Sequence, residues 1–199
     1  MAFYQIKQGT PGQREEVKRS LVGLAELSTE LQEKVVTAWV TAWQNSTFDG
    51  LSDVPFSLNT PKRQLMEHVV EVTRTGMALA RVGMELWGEQ WSKQFDWSEL
   101  VQSLILHDLD KPMLYAIQDK RLGYSEIAPR IPHGTLTAMI LNELGFSSAV
   151  VSAVATHSPQ CWLQPPSAIC LILHYADLFS ADHTYLEAGV QAHYQKSHG

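Results

Sequence analysis

Cysteine is scarce: Cys161 and Cys170 are the two present among 199 residues, and they stand in no CxxC spacing. That excludes a disulfide framework and a zinc knuckle, and leaves free thiols as the expectation. Cations are in the minority, 15 Lys and Arg against 21 Asp and Glu, for a formal charge of −6. A chain-wide attraction to nucleic-acid phosphates is excluded, so no duplex partner is expected. No apolar run approaches the roughly 18 residues that cross a bilayer. The opening MAFYQIKQGTPGQREEVKRS also lacks the charged-then-apolar order of a secretory signal. These absences point away from membranes and towards the cytoplasm.

What is present is the balance of an ordinary globular protein, with 45% hydrophobic and 18% charged residues. The length suits one domain with a sizeable core. Apolar residues recur at helical rather than alternating spacing, which predicts an all-α bundle. Helices are expected over 13–26 and, capped by Ser28, over 29–43, where Leu31, Val35, Val36, Trp39, Val40 and Trp43 form one apolar stripe. The segment QNSTFDGLSDVPFSLNT reads as a long loop. Thr60 and Pro61 read as the N-cap and first turn of a long helix with His68 in its second turn.

Further on, Asp96 is placed to cap WSELVQSLILHD, and Pro112 ends or restarts the chain direction. DKRLGYSEIAPRIP reads as a polar connector, HGTLTAMILNELG as a helix stopping at Gly145, and SSAVVSAVATHS and PPSAICLILHYADLFSADH as two more helices. The expected organisation is a helical N-terminal extension over 1–55 packed on the core, a main unit over 56–190 and a tail over 191–199. Trp87, Trp91 and Trp97 are expected in the core.

The chemistry begins at QSLILHDLDKPML, where a buried run ends directly in His107, Asp108, Asp110 and Lys111. Ionisable groups there are costly unless paired, and a metal ion is one way to compensate. His68, His107, Asp108, His133, His157 and Asp177 could meet at one metal-binding cavity, and a carboxylate between two sets of imidazoles can bridge two cations. Any one such histidine alone is more often a hydrogen-bonded core residue. His174 shares a helix face with Asp177 and reads as a supporting or substitute ligand. Asp110 reads as a surface or lysine-pairing residue, and His183, His193 and His198 as exposed.

The ordered pieces MEHVVEVTRTG, LILHDLDKP, IPHGTLTAMILNELG, VVSAVATHSP and LHYADLFSAD together resemble the HD-domain superfamily of metal-dependent phosphohydrolases. The resemblance covers residues 56–190 and none of the first 55, which would be extra N-terminal helices on an HD-domain helical bundle. Because both middle histidines are present, it implies the two-metal subgroup, with His68, His107, Asp108 and Asp177 on one metal and Asp108, His133 and His157 on the other. The mixed nitrogen and oxygen donors suit two divalent transition metals, iron or manganese first, then cobalt, nickel or zinc. The implied function is hydrolysis of a phosphomonoester or phosphodiester of a small molecule, nucleotides included, by a metal-bridging hydroxide.

Asp108 and Lys111 are the implied catalytic pair, with Lys111 meeting charge that grows on the phosphate. Arg63, Arg130 and Tyr124 are candidate substrate contacts. Two other readings share the pattern. A diiron oxygenase of the HD type acting on a small organic or phosphonate substrate resembles it too, although Phe56, Asn59 and Arg63 stand where the phosphonate-cleaving kind carries a tyrosine and a glutamate. The other is a non-catalytic metal or ligand sensor. A homo-oligomer is compatible with all three.

Overall fold

The computed structural model describes residues 3–159 and 161–196; His198 lies outside them. It is mostly helical, an all-α bundle with two small antiparallel hairpins. Helix α1 (Pro11–Ser20) opens on a capping box between Thr10 and Gln13, and α2 (Thr29–Gln44) on Ser28, whose hydroxyl accepts from the Leu31 N–H. The expected first helix is shorter, since the chain leaves helix at Leu21 and makes a separate 3₁₀ turn at Leu24–Glu26. The apolar stripe of α2 is core, with every residue from Val35 to Trp43 buried.

The region expected as loop and helix start is the first correction. Strand β1 (Pro55–Ser57) pairs with β2 (Thr60–Gln64), and α3 (Leu65–Trp87) begins only after them. Thr60 is therefore not an N-cap; the Glu67 carboxylate accepts from the Gln64 N–H at 3.3 Å and starts the helix there. His68 accordingly sits in the first turn. A four-residue helix, α4 (Glu89–Ser92), follows.

Helix α5 (Trp97–Leu106) is the central helix, capped by Asp96 accepting from the Glu99 N–H at 3.0 Å and buried from Leu100 to Leu106. It packs on α2, α3, α8 (Ser148–Thr156) and α9 (Ala168–Glu187). Gly76 makes the α3–α5 approach possible, because a Cβ there would lie 2.3 Å from Leu104 Cδ2. One cluster of buried side chains runs from Val17 and Trp39 through α3 and α5 to Leu173.

After α5 the chain turns through 107–110 into α6 (Lys111–Leu114), whose second residue is Pro112. The supposed polar connector is a second correction: β3 (Tyr115–Gln118) and β4 (Arg121–Tyr124) form a hairpin, with Asp119 and Lys120 at φ 50° and 62°. Both turn residues lie in the left-handed region that such two-residue loops demand, without the glycine that usually announces it. Helix α7 (Thr135–Glu143) starts two residues after His133, so that histidine is in the preceding turn, and Gly145 at φ 71° follows its end. In the described part of the tail, a 3₁₀ turn at His193–Gln195 is held by the Asp182 carboxylate accepting from the His193 and Tyr194 N–H groups. Trp91 is buried as expected, whereas Trp87 is exposed and Trp97 half-buried under Arg81. Among the described residues, no helix is long and apolar enough to cross a membrane.

Candidate metal centre

Five elements bring six side chains to one point. The first turn of α3 supplies His68, the end of α5 His107 and Asp108, the turn before α7 His133, the end of α8 His157, and the middle of α9 Asp177. They form two groups, His68 with His107 and Asp177, and Asp108 with His133 and His157; within each group the donor atoms lie within 4.8 Å of one another. Asp108 spans both. Its Oδ2 is 3.3 Å from His68 Nε2 and 3.3 Å from His107 Nε2, while Oδ1 is 3.0 Å from His133 Nε2 and 3.6 Å from His157 Nε2. Asp177 Oδ1 lies 3.1 Å from His68 Nε2.

The outward nitrogens decide what the inward ones can do. His107 Nδ1 faces the Leu104 carbonyl at 2.9 Å and His157 Nδ1 the Val154 carbonyl at 2.7 Å. A carbonyl only accepts, so Nδ1 carries the proton in each, and in the neutral ring Nε2 turns a lone pair inward. His133 Nδ1 donates to Asp110 Oδ1 at 2.8 Å. Around His68 the same logic runs through two groups: Ser180 Oγ donates to Glu71 Oε2 at 2.7 Å and so accepts from His68 Nδ1 at 2.9 Å. Four imidazoles thus aim Nε2 at two buried carboxylates, and His68 and His107 Nε2 are only 3.2 Å apart.

Such a cluster needs positive charge. Burial works against the charged Asp108 carboxylate, yet Lys111 and His107 outweigh it and hold its pKa well below the usual range. Burial also disfavours a charged His68 or His133, but the facing carboxylates raise both, His133 to about 10. His107 moves the other way, lowered by burial. The negative centre therefore draws protons onto imidazoles, and a divalent cation bound to neutral Nε2 atoms would supply the same charge. Asp108 Oδ2 is buried without a well-aligned hydrogen bond, although Lys111 Nζ is 2.6 Å away. The donor set and its orientation fit transition-metal ligands.

Asp110 corrects the sequence reading: it is fully buried and accepts from both His133 Nδ1 and the Gly134 N–H, at 2.8 and 2.7 Å. Gly134 itself is at φ 84°, and a Cβ there would come 2.8 Å from the Val154 carbonyl oxygen. Gly134→Ala is expected to lower the unfolding free energy by about 2–4 kcal/mol, from left-handed strain and a backbone clash. Urea denaturation would measure it, and an unchanged midpoint would show that the turn relaxes freely.

A cavity of about 320 Å³ opens on the cluster, lined at depth by Asp108, Lys111, His133, His157 and Asp177. Lys111 Nζ sits 4.1 Å above the Phe56 ring, which itself packs at a tilt against the His68 ring with centroids 4.1 Å apart. Burial opposes the Lys111 charge, Asp108 outweighs it, and its pKa is raised. Tyr124 lines this cavity. Arg63 and Arg130 do not: Arg63, half-buried on β2, is ion-paired to Glu67 and Glu71, and Arg130 is exposed. His174 faces a separate depression beside Trp91 and Pro165.

Sequence reasoning passed over Glu71 and Ser180, although each stands three residues after a cluster member on the same helix, which was the available signal. It also set aside His193, which the tail brings to the cavity wall.

The chain is similar to a phosphodiesterase. It is 28% identical over 134 residues, 64% of its length, to the dihydroneopterin 2′,3′-cyclic phosphate phosphodiesterase of Methanocaldococcus jannaschii. The match spans about half, 51%, of that protein. No family model and no solved structure matches the chain.

Proposed function

We propose that this protein is a metal-dependent hydrolase of the HD type that cleaves a phosphoester of a small molecule, with the site carried by residues 56–190. The observation that carries the reading is the set of four imidazoles locked with Nε2 inward around Asp108, whose two carboxylate oxygens face different groups. His68, His107, Asp108 and Asp177 would hold one divalent transition metal, and Asp108, His133 and His157 a second. When bound, a pair of such cations polarises a phosphoryl oxygen and lowers the pKa of water between them.

The protein's own groups do the remainder. Lys111 keeps its charge at the cavity floor, where an ammonium stabilises negative charge growing on the phosphate oxygens. The Asp110, Glu71–Ser180 and backbone contacts hold the imidazole rings in one orientation. A cavity of about 320 Å³ admits a small molecule and not a duplex. The similarity to an enzyme of a cyclic phosphodiester supports the same class of bond.

The test is elemental analysis of gently purified protein, followed by reconstitution with manganese or ferrous iron and a panel of phosphomonoesters and phosphodiesters. About two ions per chain with metal-dependent release of phosphate or of a monoester is expected. One ion or none after reconstitution overturns the two-metal centre, and two ions with oxygen uptake but no ester cleavage overturns the hydrolase in favour of an oxygenase.

A further inference from the structure

The cavity has two chemically different ends. Its floor is charged, whereas Tyr115 and Tyr124 from the β3–β4 hairpin, Tyr185 from α9 and His193 from the tail bring rings to its walls. The Tyr115 and Tyr124 rings are 5.9 Å apart, and Tyr185 and His193 are 5.5 Å apart. Tyr124 is 68% exposed, which puts it at the solvent end of the cavity it lines. Asn59, at the tip of the β1–β2 hairpin, brings an amide donor and acceptor to the same cavity. Aromatic walls contributed by separate elements around a polar floor suit a ligand that is charged at one end and flat at the other.

We infer that the cavity opening is a stacking subsite for a planar ring on the alcohol side of the phosphoester, with Tyr124 as the stacking face. The substrate class is then a ring-bearing phosphoester, such as a nucleotide or another heterocycle-linked phosphate, entering phosphate first. The inference rests on the phosphohydrolase reading for its orientation, and on the aromatic walls for the ring. Tyr115 lies deeper than the exposed Tyr124, and burial pushes its hydroxyl up to about 12. Its phenol can therefore donate to a ligand oxygen.

The experiment compares kcat/KM for adenosine 2′,3′-cyclic phosphate with that for glycerol 1,2-cyclic phosphate, which has the same reacting group and no ring. The metal-loaded wild type should prefer the ringed ester, and Tyr124→Ala should shrink that preference about ten- to a hundredfold, mainly through KM, the scale of one lost stacking contact. Tyr124→Trp should restore it. No preference in the wild type, or the same ratio in Tyr124→Ala, overturns the subsite. If neither ester turns over, the hydrolase reading is decided by the wider panel above, and calorimetric titration with adenosine 2′-monophosphate against glycerol 2-phosphate decides the ring. Ring-dependent binding that Tyr124→Ala removes upholds the subsite, and equal binding of the two refutes it.

Discussion

Asp108→Ala is expected to strip both metals at once and to reduce phosphoester hydrolysis by roughly a thousandfold or more, the scale of losing a principal electrostatic group. The two carboxylate oxygens of Asp108 face different imidazole pairs, Oδ2 towards His68 and His107 and Oδ1 towards His133 and His157. Elemental analysis distinguishes this from the loss of an ordinary ligand: His133→Ala should give up one ion and keep the other. Removing Asp108 also leaves the buried Lys111 ammonium without its partner at 2.6 Å, which costs stability. Asp108→Asn keeps the volume and one acceptor oxygen, so circular dichroism on that variant separates a missing metal from a missing fold. Full metal content in either variant would refute the bridging role.

The helices were legible where a cap and a long apolar run coincide. Ser28 before α2 and Asp96 before α5 each accept a backbone N–H as their residue types suggest, and the runs behind them are buried. The hairpins were not legible, for a physical reason. Strands of three to five residues, such as TPKRQ and RLGY, are too short to show alternation, and their pairing depends on a partner that local sequence does not reveal. Thr60-Pro61 carries a real helix-start signal, overridden because Thr60 pairs with Ser57 while Glu67 caps Gln64 instead.

The six clustered residues were legible as an ordered set, because each type is rare on a buried helix face and their joint occurrence is rarer. Their supports were harder to see. Arg63 looked like a phosphate contact and instead pairs with Glu71, which receives the Ser180 hydroxyl that orients His68. That chain runs through three elements, and only the α3–α9 packing closes it. Asp110 was misjudged because its neighbours Asp108 and Lys111 offered a simpler pairing; in the fold Asp108 takes the lysine, and Asp110 turns to the chain before α7.

Asp110→Asn therefore tests the geometry more sharply than any ligand deletion. The carboxylate accepts from two donors at once, His133 Nδ1 and the Gly134 N–H. An amide offers one acceptor and one donor, so it fails one of them. If its NH₂ faces His133, the imidazole proton moves to Nε2 and points at the metal position; if it faces Gly134, two donors collide in a fully buried site. In either orientation the second metal, on His133 and His157, should weaken about 10- to 100-fold, while the first, on His68, His107 and Asp177, stays. Stepwise metal titration followed by calorimetry should show one tight and one weakened step in the variant and two tight steps in the wild type. Two unchanged steps would mean that Asp110 only holds the turn in place, and that His133 keeps its orientation without it.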